Sequence, residues 1–571
     1  MKLIQIDIEN FRGIKKLQVP LDDLTVLVGE NNSGKSSVLD ALNTCLSRSL
    51  TRKGSIFAEY DYHLCDAEGQ PAKADPIRVT LLFREIRENE WPDVVLQALS
   101  EAVQVDDDGI NSVTLRITSS FDEATGQFAT QWDFLDGAGN PLTKAKNPRL
   151  AIQLQQLAPV FYLAALRDAA QEFGPRSQFW GPFLRNLKID DAVRKQLEDT
   201  LSELNQKVLD AHVAFKDVKD RLTETTRLVS LASDDPVHIE ALPGRAFDML
   251  SRTQVILKSR SGASLPLHRH GMGTQSLAVL FLFDAFLRVR LQVDFDASAE
   301  PILALEEPEA HLHPSAIRSL GSMLQQLKGQ KIIATHSGDL LAGIPLSSVR
   351  RLVRRDGDIQ LYRLKAGTLT KDELNKVTYH IRSQRGNLLF ARCWILVEGQ
   401  SEYWLLPEFA RQLDHDFDLN GVCCVEYRQF DLDPLIRLAD DLGIAWHAFM
   451  DNDSQGQDDK SKAIARLNGR VQGEHISTLP EQDVEHCLWQ AGYSSVYEKA
   501  VSRTRRISMI SAPSTAAEYP SQVIRAAEKS TSKPYLATAI CVESAKPGSP
   551  GIPPVISGAI KAAIDLAKRA T

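Results

Sequence analysis

The sequence predicts an α/β protein in which two α/β domains follow one another and a helical segment interrupts the first. Three observations lead to this prediction. A glycine-rich loop at residues 29–37, GENNSGKSS, lies between an apolar strand-like run and a helix-like run. A second apolar run, PILALEE at 301–307, ends in two adjacent acids. From residue 391 onward, apolar runs that end in acids alternate with amphipathic segments, which is typical of parallel α/β sheets.

Length and charge restrict the class of protein. The 571 residues are too many for one hydrophobic core, so two to four domains are expected. The net charge of −8 argues against a basic protein that coats nucleic acid, but bound cations could offset the charge of an acidic catalytic site. The seven cysteines are scattered without metal-type spacing, which favours reduced thiols.

The N-terminus and the hydropathy pattern predict a cytoplasmic protein. The first residues, MKLIQIDIENFRGI, alternate like a strand and lack the apolar stretch of a signal peptide. No segment approaches the ~20 apolar residues that span a bilayer, so no membrane partner is expected.

The pattern changes along the chain in an order that divides it into five parts. Residues 1–180 begin with two strand-like runs and carry further β-like runs between 76 and 135, where antiparallel sheet is expected. Residues 181–250 contain amphipathic helical periodicity, and 251–365 alternate strands and helices again. Residues 366–390 are polar and connect this region to a second α/β domain at 391–571.

The glycine-rich loop fits the pattern G-x-x-x-x-G-K-[ST] and has the strand before it and the helix after it that a P-loop requires. Backbone N–H groups and a helix N-terminus cradle phosphates there, while the lysine reaches their charge and the first serine binds Mg²⁺. The context disfavours the alternative of a simple glycine-rich turn. The residues expected to contact ATP are Gly29, Asn31, Asn32, Gly34, Lys35, Ser36 and Ser37.

Two further strand ends predict the remainder of a nucleotide site. Glu306 and Glu307 end the run PILALEE, where neighbouring side chains diverge and can take different tasks. One can hold the Mg²⁺ with Ser36, and Glu307 can polarise the attacking water. His336 ends the run KIIATHS at the place of a γ-phosphate contact, although a single histidine is more often structural.

In their order these stretches resemble the ABC-type ATPases of the structural-maintenance-of-chromosomes and RecF group. The opening IENFRGI resembles the same group, and this likeness implies that Arg12 lies at the nucleotide. It also implies that HGMGTQS is the signature that contacts the ATP of a partner subunit, through Gly271, Gly273 and Gln275. The signature departs from the usual Leu-Ser-Gly-Gly-Gln. Residues 181–250 are too short for a coiled-coil arm, so a compact helical insertion that supports a homodimer or tetramer is expected.

Acids also collect at strand ends in the second domain. Glu398 and Glu402 lie four residues apart in WILVEGQSEYW, where a strand passes into a helix. The run AWHAFMDNDS ends in Asp451, Asp453 and Ser454. Further candidates, from LPEQDVEHCLW and STSKPYLATAI, are Asp483, Glu485 and Lys533.

Clustered carboxylates suit Mg²⁺ or Mn²⁺, because hard cations prefer oxygen ligands. Two such ions can activate water and stabilise the leaving oxygen of a phosphodiester, and a lysine can neutralise the charge that develops. The alternative, solvated acids at strand ends and helix caps, stays open for each pair taken alone.

The order of these acids resembles a Toprim domain. A P-loop ATPase fused to a C-terminal Toprim domain is the architecture of the overcoming lysogenization defect (OLD) nucleases, a family that includes the nuclease subunit of the Gabija anti-phage system. The resemblance implies that Glu398 and Lys533 are catalytic. It also implies that the nuclease metal ligands, or the residues that support them, are Glu398, Glu402, Asp451, Asp453, Ser454 and Glu485. Asp483 is a weaker candidate ligand because it can cap a helix.

The expected fold is therefore an ABC-type P-loop ATPase of two lobes, with a helical dimerisation insertion, followed by a Toprim α/β domain. The expected function is that of an ATP-hydrolysing, Mg²⁺- or Mn²⁺-dependent DNA endonuclease in anti-phage defence, with two ions in the nuclease site and one with ATP. The Gabija likeness raises a UvrD-like helicase as a further partner. The alternative is an ATP-driven DNA clamp of the RecF type whose Toprim acids are structural.

A basic cluster in the second domain has two interpretations. Arg503, Arg505 and Arg506 in SRTRRIS could hold DNA phosphates, or could form a solvated surface patch.

Overall fold

The computed structural model of this chain describes residues 1–47, 49–50, 54–64, 69–165, 177, 190–211, 218, 255–258, 264–289, 298–383, 386–428 and 430–570. The chain divides into two compact units. The main unit contains Met1–Leu163, Ser298–Glu309 and Pro314–Thr571, and the minor unit contains Ala164–Ala297 and Ala310–His313.

Strands and helices alternate through most of the described chain. The strands are β1 (Leu3–Phe11), β2 (Ile14–Pro20), β3 (Leu24–Val28), β4 (Ile77–Arg84), β5 (Gln104–Val105), β6 (Asn111–Asp122), β7 (Gln127–Leu135), β8 (Val160–Leu163), β9 (Ile256–Lys258), β10 (Ser264–Pro266), β11 (Ile302–Glu306), β12 (Gln330–Ala334), β13 (Val349–Arg355), β14 (Asp358–Tyr362), β15 (Cys393–Val397), β16 (Val422–Glu426), β17 (Ala445–Met450) and β18 (Ile476–Thr478). The α-helices are Lys35–Ser47, Asp93–Leu99, Pro148–Leu157, Asp191–Asp210, Met272–Val289, Pro314–Gln326, Gly338–Leu341, Lys371–Ser383, Gln400–Gln412, Phe417–Asn420, Leu432–Asp441, Ser454–Ala465, Gln472–His475, Val484–Leu488, Ser494–Ala500, Arg503–Met509, Tyr519–Ser530, Lys533–Ser544 and Pro554–Arg569.

An antiparallel sheet forms the first layer of the main unit. Its strands follow the order β2-β1-β4-β6-β5, and β7 pairs with β6. In β4 the residues Ile77, Val79, Leu81 and Phe83 are fully buried and alternate with more exposed neighbours, because successive side chains of a strand point to opposite faces. This confirms the antiparallel sheet predicted between residues 76 and 135.

A second sheet, in the order β14-β13-β3-β12-β11-β8, is parallel except for the β13–β14 hairpin. Its central strands β3, β11 and β12 are buried at nearly every position, as expected of a parallel sheet covered on both faces. Parallel pairing brings three carboxyl ends to one edge. There β3 leads into Gly29, β11 ends at Glu306, and β12 is followed by Thr335 and His336.

A third, fully parallel sheet in the order β16-β15-β17-β18 belongs to the C-terminal part of the main unit. The final helix, Pro554–Arg569, buries Ile556, Ile560 and Ile564 in the hydrophobic core beside this sheet. The buried residues of this core cluster all lie between residues 393 and 567, so the C-terminal part supplies its own core.

The predicted connection at 366–390 is largely helical. Helix Lys371–Ser383 buries Val377 and Ile381, which lie one turn apart on the same face. Its Glu373 accepts a hydrogen bond from Arg437 of the third-sheet region at 2.6 Å. The segment is therefore packed against the C-terminal part.

The minor unit is described in part. Helix Asp191–Asp210 falls in the region predicted as amphipathic helices, and the rest of the predicted insertion at 181–250 lies outside the described residues apart from 190, 211 and 218. Strands β9 and β10 pair as an antiparallel hairpin, and helix Met272–Val289 follows. The role of the insertion in dimerisation stays a prediction.

Helix Met272–Val289 is the exception to our expectation that no segment approaches the length of a membrane span. By length and composition it is the one described helix apolar enough to cross a bilayer. However, 44% of it is buried inside the chain, and the core helix of a water-soluble protein meets the same criteria.

Arg351 of β13 joins the second sheet to the C-terminal part of the main unit. Its guanidinium is almost fully buried, and burial, opposed in part by Glu30, lowers the pKa of Arg351 to about 10. It therefore stays charged at neutral pH. The group donates to the main-chain carbonyls of Leu389 (3.1 Å), Ala391 (2.7 Å), Leu442 (3.1 Å) and Gly443 (3.1 Å).

We expect Arg351→Met to lower the free energy of unfolding by roughly 3–5 kcal/mol, because buried carbonyl groups lose their donor. Urea denaturation of the full chain measures this change. Arg363→Met, at an exposed position after β14, is the matched control and should unfold like wild type. Equal stability of the two variants would contradict the structural role of Arg351.

Candidate functional site

The P-loop connects β3 to helix Lys35–Ser47 in the manner predicted. Gly34 has a φ of +92°, and a Cβ atom there would lie 2.7 Å from Cδ1 of Ile359. Glycine is therefore required at this turn by both backbone conformation and space. The predicted residues 29–37 form one continuous loop and helix start.

Lys35 is folded back onto its own loop. Its ammonium donates to the carbonyls of Gly29 at 2.9 Å and Glu30 at 2.7 Å, and to Oγ of Ser33 at 3.3 Å. Burial lowers the pKa of Lys35 to about 8, against the opposing effect of Glu307 and other nearby acids. The side chain is thus held by weak acceptors that a phosphate group would replace with a full negative charge.

Glu306 connects the P-loop to Tyr162, a residue that the sequence analysis did not identify. It accepts a short hydrogen bond from the hydroxyl group of Ser36, the predicted Mg²⁺ ligand of the loop. Its other oxygen accepts from the hydroxyl group of Tyr162, which lies in β8, at 2.8 Å. The predicted pair of Ser36 and Glu306 therefore meets at one point.

Glu307 and His336 also lie close together. Nε2 of His336 lies 3.9 Å from Oε1 of Glu307. Glu309 is a third acid at this edge, and it accepts from Oγ1 of Thr335 at 2.5 Å and from the backbone N–H of His336 at 3.3 Å. Glu309 thus fixes the strand end that carries the histidine.

Arg12 is held by acids beside the P-loop helix. Its Nε donates to Asp61 at 2.7 Å, and Nη1 forms a short contact with Asp40 of helix Lys35–Ser47. These two carboxylates occupy its guanidinium.

The three predicted signature residues belong to the minor unit, at the start of helix Met272–Val289. Gln275 donates to the carbonyls of His268 (3.3 Å) and His270 (2.7 Å). Gly273 lies against the His311 carbonyl, where a Cβ atom would be 2.8 Å away, and Gly271 precedes the helix. Cross-subunit contact by these residues stays a prediction.

A cavity of about 410 Å³ lies at the carboxyl ends of β15, β17 and β18. The sequence-predicted residues that line it are Glu398, Glu402, Asp451, Asp453, Asp483, Glu485 and Lys533. Ser454 is exposed at the start of its helix and does not line the cavity. The basic residues 503, 505 and 506 lie on the exposed helix Arg503–Met509, outside the cavity lining.

Strand pairing explains why these acids meet. Val397 of β15 is paired with Phe449 of β17, so Glu398 and Asp451 follow neighbouring strand ends. Gly456 permits this arrangement, since a Cβ atom there would lie 2.2 Å from the Asp451 carbonyl oxygen. Asp453 caps the following helix by accepting from the N–H of Gly456 at 2.8 Å.

Buried like charges dominate the electrostatics of this cavity. Burial, followed by Glu402, Glu398 and other acids, raises the pKa of Asp451 to about 9. Burial, followed by Glu485, raises the pKa of Glu402 to about 7. Burial and Asp453 also raise the pKa of Glu398, whose buried Oε2 has no hydrogen-bond partner among the described residues.

Lys533 also lines this cavity. Its ammonium lies 3.0 Å from Glu485 and 3.1 Å from Glu528, and these acids raise the pKa of Lys533 although burial alone would lower it. Glu485 also accepts from the hydroxyl group of Ser401 at 2.6 Å. Asp483 caps helix Val484–Leu488, as the alternative interpretation of that residue predicted.

The residues present fit a hard divalent cation. Their donors are carboxylate oxygens, and raised pKa values together with an unpartnered buried oxygen indicate acids whose charge is incompletely compensated. Within the described ranges, no three Asp, Glu, His or Cys side chains already stand in a metal-holding arrangement. Binding would therefore require side-chain adjustment around the cavity.

Tyr427 and Arg428 also lie near the acids and were missed from sequence. They follow β16 in the stretch VEYRQF, which has no metal-type or catalytic spacing. Nη1 of Arg428 lies 3.9 Å from Oε1 of Glu398. Only the position of β16 beside β15 reveals that the two residues belong to this edge.

We expect Lys35→Ala to lower ATP affinity at least ~10-fold, because the only loop ammonium that can reach the phosphates is removed. Lys15→Ala, at an exposed position of β2, is the matched control. Isothermal titration with ATP measures both. Equal affinity of the two variants would place the nucleotide elsewhere.

Glu307→Gln should retain ATP binding and lose hydrolysis, because the amide cannot polarise water as a carboxylate does. Phosphate release measured beside ATP binding separates the two effects. Hydrolysis at the wild-type rate would show that Glu307 is not the activating acid.

The metal-free protein should lose stability as pH rises between about 4 and 9. The folded pKa of Asp451 is raised from 3.8 to about 9, so the folded chain keeps a proton that the unfolded chain releases in this window. At pH 8, Asp451→Asn should be more stable than wild type by roughly 1–3 kcal/mol, the equivalent of one to two pKa units. Asp458→Asn, on the exposed face of the next helix, is the control.

Urea denaturation in EDTA across this pH range tests the prediction. A wild-type stability that stays flat while Asp451→Asn shows no advantage would contradict the repulsion described above.

Two family models match different parts of the chain. Residues 1–387 match the model described as "Protein of unknown function (DUF2813)". Residues 389–453 match the model of the TOPRIM domain of overcoming lysogenization defect protein-like proteins. The second match contains Glu398, Glu402, Asp451 and Asp453.

Curated relatives span most or all of the chain. The uncharacterized protein YbjD of Escherichia coli is 29% identical over 575 residues, covering 100% of this chain and 99% of its own length. The OLD nuclease of Thermus scotoductus is 25% identical and covers 74% of this chain and 76% of its own length. The endonuclease GajA of Bacillus cereus is 22% identical, with 82% and 78% covered.

Solved structures are more distant. The C-terminal region of the Xanthomonas campestris OLD protein is 18% identical and covers 31% of this chain and 97% of its own, with a TM-score of 0.27. The SMC head domain of Thermotoga maritima is 13% identical and covers 64% and 100%, with a TM-score of 0.31. At these TM-scores the likeness carries no argument, and the α/β fold is defined by the strand orders and the P-loop described above. With both family matches in place, the chain belongs to the DUF2813 family and joins its P-loop ATPase region to an OLD-like TOPRIM domain, as the resemblance to the OLD nucleases predicted.

Proposed function

We propose that this chain is a divalent-metal-dependent DNA endonuclease whose TOPRIM cavity hydrolyses phosphodiester bonds under the control of ATP bound at the P-loop. The observation that carries the proposal is the convergence of buried, mutually repelling carboxylates and one lysine on a single cavity. A merely structural set of acids would be solvated or paired. Here Glu398 keeps a buried oxygen without a partner among the described residues.

The carboxylates divide into those that would hold metal and those with other contacts. Glu398, Glu402, Asp451 and Asp453 are the candidate ligands, whereas Glu485 contacts Ser401 and Lys533 and Asp483 caps a helix. Bound Mg²⁺ or Mn²⁺ would activate water and stabilise the leaving oxygen. The raised pKa values of Asp451 and Glu402 would fall on binding, so the carboxyl groups would release protons.

Lys533 supplies a fixed positive charge. Hydrolysis forms one bond between a water oxygen and phosphorus and breaks one ester bond, while the leaving oxygen takes up a proton. Negative charge develops on the phosphoryl oxygens in this step, and an ammonium held beside them stabilises it. Glu485 and Glu528 hold Lys533 at the cavity, and its raised pKa keeps it charged at neutral pH.

The nucleotide site supports the ATP part of the proposal. Lys35, Ser36, Glu306, Glu307 and His336 lie at one sheet edge and can bind and hydrolyse ATP with one Mg²⁺. The signature at 271–275 supports a second copy of this chain as a partner, in a homodimer or tetramer. The resemblance to the Gabija nuclease subunit is the only support for anti-phage defence and for a UvrD-like helicase partner.

Nicking of supercoiled plasmid tests the function. We expect cleavage in Mg²⁺ or Mn²⁺ that EDTA abolishes. Glu398→Ala should lower the rate by roughly 10³-fold or more, a loss on the order of 4 kcal/mol in transition-state stabilisation. Lys533→Ala should lose cleavage as well but retain Mn²⁺ binding by calorimetry, because a cation is not a metal ligand. Glu408→Ala, in helix Gln400–Gln412 but outside the cavity lining, is the control and should nick like wild type.

Two outcomes would contradict the proposal. Near-wild-type nicking by Glu398→Ala would show that the carboxylates are not the metal site. DNA binding without any nicking, in either metal, would favour an ATP-driven clamp with a structural TOPRIM domain.

A further inference from the structure

A second cavity lies beside the first, and we call it the flanking cavity. It has a volume of about 490 Å³ and shares Glu398, Asp453 and Arg428 with the cavity of the carboxylates. Its other walls come from helix Lys371–Ser383, the loop after β16 and helix Ser454–Ala465. A molecule bound at Glu398 could therefore continue into this space.

Tyr427 lines the flanking cavity and carries an unused hydrogen-bond donor. The residue is only 2% exposed, and its hydroxyl group has no hydrogen-bond partner among the described residues. Burial, followed by Glu398 and Asp459, raises the pKa of Tyr427, so the phenol keeps its proton. A buried donor without an acceptor is costly and indicates a missing ligand with acceptor oxygens.

Three basic side chains line the same cavity but differ in how they are engaged. Lys462 is neutralised by Asp431 and Asp459, each at 3.0 Å. Arg428 lies 3.9 Å from Glu398 and is 66% exposed. Lys376 is exposed and has no hydrogen bond or ion pair with a described residue. Two cations are thus available to an anion.

We propose that the flanking cavity binds a phosphate of the DNA strand next to the phosphate that is cleaved, through Lys376, Arg428 and the hydroxyl group of Tyr427. The proposal rests on the proposed function, because it places the neighbouring phosphate at the carboxylate site. A phosphate oxygen supplies the acceptor that Tyr427 lacks, and charge-assisted bonds to arginine and lysine are the common protein contacts of DNA backbones.

Metal and phosphate binding should reinforce each other. Glu398 now attracts Arg428, and Asp453 adds negative charge to the wall that both cavities share. A cation bound to these acids would cancel that attraction and free the guanidinium for phosphate. Lys376 lies in the DUF2813 region and Arg428 in the TOPRIM region, so both parts of the chain would contact the same DNA strand.

Binding of a fluorescein-labelled DNA duplex tests the proposal in Ca²⁺, without the need for cleavage. The full-length protein is titrated at several salt concentrations. Lys376→Gln should weaken binding several-fold and reduce the slope of log affinity against log salt by about 1, as expected for one lost phosphate contact. Lys371→Gln, on the same helix but outside the cavity lining, is the control and should match wild type.

Tyr427→Phe provides a second measurement with a different signature. It should lower affinity about 5- to 10-fold, as for one hydrogen bond to a charged group, and leave the salt slope unchanged because no charge is removed. Removal of an unpartnered buried hydroxyl should not lower thermal stability, so a folding defect is not expected.

The binding and nicking measurements together test the proposal. The proposal is overturned if both variants bind with wild-type affinity and slope, or if wild type binds no duplex in Ca²⁺. Plasmid nicking by wild type is measured in parallel. If wild type nicks plasmid and the variants bind DNA like wild type, only the phosphate subsite is rejected. If wild type does not nick plasmid but the variants bind DNA more weakly, the proposed function is rejected and a DNA-binding subsite is retained.

Discussion

Parallel strand pairing in two separate sheets decides where both candidate sites of this chain form. In the second sheet, the alignment of β3, β11 and β12 brings together Ser36 and Glu306, which lie 270 positions apart in the sequence. In the third sheet, β15 and β17 are aligned so that Glu398 and Asp451 follow adjacent strand ends. Side chains at these ends have no further strand to cover them, so a cavity with convergent polar groups results.

Bringing carboxylates together is electrostatically unfavourable, and the two sites differ in how positive charge compensates for it. At the P-loop, Lys35 lies among acids and donates to carbonyl oxygens, so the site already contains its cation. At the TOPRIM cavity, Lys533 is engaged by Glu485 and Glu528, so it compensates the charge of Asp451 and Glu402 only in part. Their raised pKa values express this deficit. The electrostatics of the first site therefore favour an anion and those of the second a cation, although both sites lie at the ends of parallel strands.

The sequence could predict the residues that follow apolar strands, because strand ends and spacing are local properties. The P-loop, Glu306, Glu398 and Asp451 became candidate site residues in this way. Tyr162 was missed because it lies inside a four-residue strand, and only the register of β8 with β11 brings it to Glu306. Arg351 lies in the stretch VRRLVRR, whose local pattern does not single it out, and its side chain donates to carbonyls up to 92 residues away. Such contacts depend on tertiary packing, which single-sequence patterns do not contain.

Arg392 and β15 connect the P-loop to the strand end that is followed by Glu398. Glu30 of the P-loop accepts hydrogen bonds from Arg392 at 2.5 and 2.8 Å, and Arg392 immediately precedes β15, which ends one residue before Glu398. Seven residues of extended chain span roughly 20 Å. Because β15 is hydrogen-bonded to a strand on each side, it would move as a body and could not absorb a shift of Arg392 by local bending. A nucleotide that displaced Glu30 would thus act on the position of Glu398 through a single strand, while Arg351 holds the surrounding carbonyls in place.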